Sequence, residues 1–112
     1  YRIDQTLREL TFGEWEGRTW REVRAADPER ARAREKDKWG YVPPGGESYQ
    51  ILMERIMPAL TVLRRSTVVV SHGGVMRAAM VGFGYERPKG AESQDIWQGR
   101  VLVMDHLGCR WR

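Results

Sequence analysis

Val68-Val69-Val70-Ser71-His72-Gly73-Gly74-Val75 joins three β-branched residues to a histidine, two glycines and the start of an apolar helical pattern. A β-branched run without polar alternation predicts a strand over 67–71 buried on both faces, as in a parallel sheet. In open α/β folds the ligand crevice lies at the carboxyl ends of such strands, often against the N-terminus of the next helix. His72 then stands where an anion binds, with Gly73 and Gly74 allowing close backbone approach. The competing reading is a core histidine beside an ordinary turn.

Two further segments bear on that choice. Leu7-Arg8-Glu9-Leu10-Thr11-Phe12-Gly13-Glu14-Trp15-Glu16-Gly17 and Pro44-Gly45-Gly46-Glu47-Ser48 precede Ser71-His72-Gly73-Gly74. The three together, in this order, resemble the back part of the histidine phosphatase superfamily, the fold of cofactor-dependent phosphoglycerate mutases and many phosphomonoesterases. The likeness runs from about Leu7 to the strand near Val103. It implies a three-layer α/β/α domain with a mostly parallel sheet, here an incomplete domain, with residues 1–112 as the C-terminal part of a single unit. That family opens with a strand ending in Arg-His-Gly, whose histidine becomes phosphorylated, and supplies a second phosphate-binding arginine before the Glu9 region. Neither is present. The chain starts at Tyr1, directly upstream of the Leu-Arg-Glu motif, so the resemblance implies a fragment.

Phosphoryl transfer needs fixed positive charge and donors around the equatorial oxygens, an in-line nucleophile, and an acid for the leaving oxygen. By the resemblance, His72 matches the family's second histidine, which donates a hydrogen bond to the phosphoryl group. Glu9, four residues ahead of Gly13, matches its general acid; alone it would read as a surface carboxylate paired with Arg8. The candidate catalytic residues are therefore Glu9 and His72. The candidate substrate-binding residues are Gly73, Trp15, Glu47 and Ser48. Of these, Ser48 also reads as a helix cap, Glu47 as a supporting carboxylate, and Trp15 equally as a buried tryptophan. Arg55 holds Glu47 or faces solvent. His106 reads as a surface histidine. One histidine, one glutamate and glycine backbone are too few donors for a dinuclear metal cage, so neither a metal site nor a cofactor is expected.

The resemblance implies a phosphomonoester hydrolase working through phosphohistidine, with mutase-type transfer and a non-catalytic phospho-ligand-binding or partner-binding fragment as alternatives. The short Phe12–Gly17 stretch looks more like the phosphatase branch. The expected partners are a small phosphorylated substrate, the missing front segment of the same domain and a second copy in a homodimer, with no nucleic acid and no membrane.

Composition fits one incomplete globular domain. There are 19 basic and 15 acidic residues, a net charge of +4 that suits an anionic substrate. The densest basic run, Arg30 to Lys38, is interrupted by acids and reads as a solvated helix face rather than a nucleic-acid stripe. Cys109 is the only cysteine, so no internal disulfide forms and a reducing, cytoplasmic location is expected. No apolar run approaches the roughly 20 residues that span a bilayer.

Along the chain, residues 1–18 read as extended or looped. Thr19 and Glu22 form a capping box for a helix through Ala26, and Asp27-Pro28 opens a second helix. Residues 38–46 are loop, with Trp39 and Tyr41 exposed or lid-like. Ser48 caps a helix with apolar positions Leu52, Ile56, Ala59, Leu60 and Leu63, in which Pro58 predicts a kink. A helix covers 75–81, residues 88–93 are loop, and 100–105 is a strand followed by a last short strand.

Overall fold

The computed structural model describes all 112 residues. Two 3₁₀ turns, Gln5–Leu7 and Gly13–Trp15, punctuate the front segment. Helices α1 (Trp20–Ala26), α2 (Pro28–Lys36), α3 (Tyr49–Thr61), α4 (Gly73–Gly82) and α5 (Pro88–Glu92) follow. The chain closes on an antiparallel hairpin of β1 (Leu102–Asp105) and β2 (Gly108–Trp111), with Leu102 opposite Trp111.

The helix starts obey their caps. Thr19 Oγ1 accepts from Glu22 N at 3.1 Å, and Ser48 Oγ accepts from Ile51 N at 3.1 Å. Each contact satisfies an N–H that has no partner inside its helix. The α3 helix continues through Pro58 and ends at Thr61, so the proline closes the last turn without dividing the helix. The main core lies between α3 and α4. Leu52 and Ile56 are fully buried against Val75, Ala78 and Ala79, with Leu10, Trp39, Tyr49 and Ala91 around them. Burying a side chain of the Leu52 or Ile56 kind contributes about 1.5–3 kcal/mol. A second cluster, Trp15, Val23 and Ala31, joins the front segment to α1 and α2. There Arg34 stacks its guanidinium 4.3 Å from the Trp20 ring centroid, so the basic run of α2 is solvated on most positions but not all.

Three expectations are corrected. Residues 67–71 are not a strand of a parallel sheet: the only sheet is the two-stranded hairpin. A strand exists by its ladder bonds, and no other extended segment of these 112 residues pairs with Val68–Val70, which leaves Val68 90% and Val70 91% exposed. Trp39 is not a lid. It is buried, stacks on Tyr49 at 5.4 Å, and its indole N–H donates to Gln50 Oε1 at 2.8 Å. Tyr41 is half-buried and stacks on Trp15 at 5.8 Å. Finally, residues 88–92 are helical rather than loop, with Pro88 at the first position and Ala91 fully buried.

Candidate functional site

The site is assembled where the front segment crosses the N-terminus of α4. His72 is the N-cap of α4, extended at φ −126° and ψ 164°, and its carbonyl accepts from Met76 N at 3.1 Å. Its side chain makes no capping bond and is exposed. Two residues further on, Gly74 N donates to Glu9 Oε2 at 3.1 Å, while Leu10 N donates to Glu9 Oε1 at 2.9 Å. A carboxylate on the first turn of a helix meets both a free N–H and the positive end of the helix dipole. Gly74 is a glycine for a steric reason as well, because a Cβ there would collide with Glu9 Oε1 and stand 2.9 Å from Leu10 Cδ2. Ser71 completes the crossing by donating from Oγ to Leu7 O at 2.7 Å. Thus Glu9 and His72, 63 positions apart in sequence, lie at one helix end.

Behind Glu9 stands a charged clamp. Arg55 on α3 donates from Nε to Glu47 Oε2 at 3.0 Å and from Nη2 to Glu47 Oε1 at 3.1 Å. The same guanidinium donates to the carbonyls of Thr6 at 2.6 Å, Arg8 at 3.1 Å and Glu9 at 3.4 Å. Glu47 also accepts from Thr11 N at 3.2 Å, and Glu47 N donates to Thr11 O at 2.8 Å. Gly46 permits this approach: a Cβ there would stand 2.7 Å from Thr11 O and 2.8 Å from Phe12 C. The pair is nearly enclosed, with side chains 13% and 14% exposed for Arg55 and Glu47. Burial works to raise the Glu47 carboxyl, but the Arg55 fork and the Thr11 amide outweigh it and hold the group below the usual carboxylate range. A depressed carboxyl contributes stability that is present above its unfolded value near 4.5 and lost as pH falls through the folded value below it. The melting temperature of the wild type should therefore drop more steeply than that of Glu47→Gln as pH is lowered from about 4.5. Parallel pH curves for the two would show that the pair adds no linked stability.

The other candidate residues fall as follows. Gly73 opens α4 beside His72. Ser48 is buried and spends its hydroxyl on Ile51 N. Trp15 is 5% exposed inside the second cluster, stacked on Tyr41 and edge-on to Trp20. His106 is exposed at the hairpin turn. The groove that His72 lines measures about 750 Å³ and has walls of Arg2, Arg8, Leu63, Val68 and Val70. Sequence reasoning left Arg55 undecided and overlooked Arg77, whose Nε and Nη2 both donate to Gln94 O, at 3.1 and 2.8 Å. The seven-residue helical spacing from Ser48 is the signal that could have marked Arg55; Arg77 carried none. No helix is long and apolar enough to cross a membrane.

The structure thus packs the Leu7–Gly13 segment on the His-Gly-Gly helix start, with the Gly-Glu-Ser segment behind it. The family model of the histidine phosphatase superfamily (branch 1) matches residues 1–112, and the chain belongs to that superfamily. Among curated proteins it is 37% identical over 86 residues to a 6-phosphofructo-2-kinase/fructose-2,6-bisphosphatase of Caenorhabditis elegans, an alignment covering 75% of this chain and 19% of that protein. The Arabidopsis thaliana protein of the same name is 38% identical over 87 residues, covering 75% of this chain and 12% of its own length. The chain thus spans under a fifth of these relatives. Two solved structures share the fold: Mycobacterial hydrolase 2, with a TM-score of 0.71 at 24% identity over 99% of this chain and 57% of that one, and Mycobacterial hydrolase 1, with 0.70 at 22% over 99% and 62%.

Proposed function

We propose that this chain carries the acid and second-histidine part of a phosphomonoesterase site, and that the nucleophilic histidine comes from a front segment of the same domain outside these 112 residues. The observation that carries the reading is the Glu9 carboxylate on the first turn of α4, two residues from the His72 cap. In this reading a histidine nitrogen attacks phosphorus in line, the ester P–O bond breaks, and the Glu9 carboxyl gives its proton to the departing oxygen. Water then attacks the phosphohistidine, Glu9 takes the proton of that water, the N–P bond breaks and inorganic phosphate leaves. His72 donates to an equatorial oxygen throughout. The donors here are one carboxyl, one imidazole and backbone N–H groups, a set suited to a phosphoryl group rather than a dinuclear metal cage.

Several features support the missing strand. Val68 and Val70 expose apolar side chains and unpaired backbone groups, an arrangement that a neighbouring strand resolves. A strand seated in the groove between Tyr1–Arg8 and Thr67–Val70 would begin the parallel sheet that the resemblance implies. The net charge of +4 suits an anionic substrate. The name of the curated relatives, fructose-2,6-bisphosphatase, favours a sugar phosphate. The reading also includes a cytoplasmic location and a homodimer.

The test compares the intact protein with residues 1–112 alone. The intact protein should hydrolyse phosphomonoesters in EDTA and trap an acid-labile, alkali-stable phosphoryl label, and residues 1–112 should do neither. Turnover by the isolated chain that is abolished by His72→Ala would place the nucleophile within it. Loss of activity in EDTA, restored by one divalent metal, would sink the phosphohistidine reading. A labelled-ligand complex without turnover in the intact protein would favour a binding module.

A further inference from the structure

We propose that Arg55 is a positioning residue for the Glu9 carboxyl group, acting through the backbone that carries it. The inference rests on Glu9 being the acid of the proposed reaction and adds what aims it.

Arg55 makes five hydrogen bonds with one guanidinium. Two of them hold Glu47, which fixes the plane of the fork. Three go to the carbonyls of Thr6, Arg8 and Glu9, 46 to 49 positions earlier in the chain. Those residues belong to no helix longer than a 3₁₀ turn and to no strand, so their carbonyls have few regular backbone partners. The segment is otherwise tied down near the site by Ser71 Oγ on Leu7 O, Thr11 N on Glu47, and Gly74 N on Glu9 itself. A planar, always charged fork is the one side chain able to serve a carboxylate and three carbonyls together; lysine offers a single point charge. The clamp holds the backbone of Glu9, and the Leu10 and Gly74 N–H groups hold its two carboxylate oxygens. Misplacing an acid by an ångström is enough to cost about 10²-fold in rate. All five hydrogen bonds of Arg55 go to Glu47 and to backbone carbonyls, and its side chain is 13% exposed, so it acts through Glu9 and not on the substrate.

The experiment uses the intact protein with Arg55→Lys and Arg55→Met, each alone and combined with Glu9→Gln, on a series of phosphate esters graded by leaving-group pKa. The Arg55 variants should lose roughly 10-fold to 100-fold in kcat on alkyl esters, a part of the general-acid contribution, and little on dinitrophenyl phosphate. Adding either to Glu9→Gln should cost nothing more on alkyl esters, because the acid is already gone. In parallel, the Gly74 amide resonance, which reports the bond to Glu9, should shift in the Arg55 variants and return part of the way in Lys relative to Met. An equal loss across the series for Arg55→Lys, or a lysine variant that fails to fold, would make the residue structural and overturn the inference. If Glu9→Gln itself shows no dependence on leaving group, the acid assignment has failed instead. A graded loss in Glu9→Gln with none in either Arg55 variant overturns the role of Arg55 alone.

Discussion

His72→Ala in the intact protein is expected to lower kcat by about 10²- to 10³-fold, the usual effect of deleting one donor aimed at charge that develops in the transition state. The fold should survive this change. The imidazole is exposed and makes no capping bond, while the helix-starting contact runs through the His72 carbonyl to Met76 N. A melting temperature within a few degrees of wild type is therefore the accompanying expectation, since exposed substitutions usually move stability by no more than about 0.5 kcal/mol. Rapid-quench measurement should find both the phosphorylation and the dephosphorylation step slowed, because the same equatorial oxygen needs its donor in each. Slowing of only one step would assign His72 to that half-reaction, and a change in KM at constant kcat would reduce it to ordinary substrate binding.

What could be read from the sequence and what could not divide by range of interaction. The start of α4 lies two residues ahead of the 75–81 expected because His72 makes no side-chain cap bond, whereas the helix starts at Thr19 and Ser48 were legible because such a cap joins residues three positions apart. The strand over 67–71 was misread for the opposite reason. Valines state a preference for extended backbone, which residues 67–71 lack the partners to turn into a sheet. Trp39 lies in a stretch rich in glycine and proline that reads as exposed loop, yet its ring reaches Tyr49 across ten positions and buries there. The Pro88–Glu92 helix carried the same proline-first signal as Asp27-Pro28. Its brevity and Gly90 hid it, and contacts of Ala91 and Gln94 with the rest of the protein hold it. At the site, the motifs named Glu9, His72 and Glu47. Only the fold showed that Arg55 joins Glu47 to the backbone of Thr6, Arg8 and Glu9, because that clamp reaches carbonyls which no side-chain pattern records.

Glu9→Gln bears most directly on the chemistry. Glutamine keeps one carbonyl oxygen, enough to accept from either Gly74 N or Leu10 N, which the carboxylate now meets with separate oxygens; the Ser71 and Arg55 contacts to the backbone still hold the segment while the transferable proton is lost. An ester oxygen of high pKa cannot leave without that proton, whereas dinitrophenolate leaves unaided. The loss should therefore be largest for alkyl and sugar phosphates, about 10²- to 10⁴-fold in kcat, and should shrink toward none as the leaving-group pKa falls. With activated esters the second step becomes limiting. There Glu9→Gln should allow the phosphoryl label to accumulate, since the same group is needed to deprotonate water. Gly74→Ala offers a control that leaves the carboxyl chemically intact: its methyl group drives Oε1 off the helix end, and its activity should fall along the same leaving-group gradient as Glu9→Gln. An even loss across the series in Glu9→Gln would leave Glu9 as a carboxylate that shapes the helix end and would hand the acid role to another group. A silent Glu9→Gln would mean that the segment from Leu7 to Gly13 does not serve the reaction at all, and that its docking on α4 is a matter of folding alone.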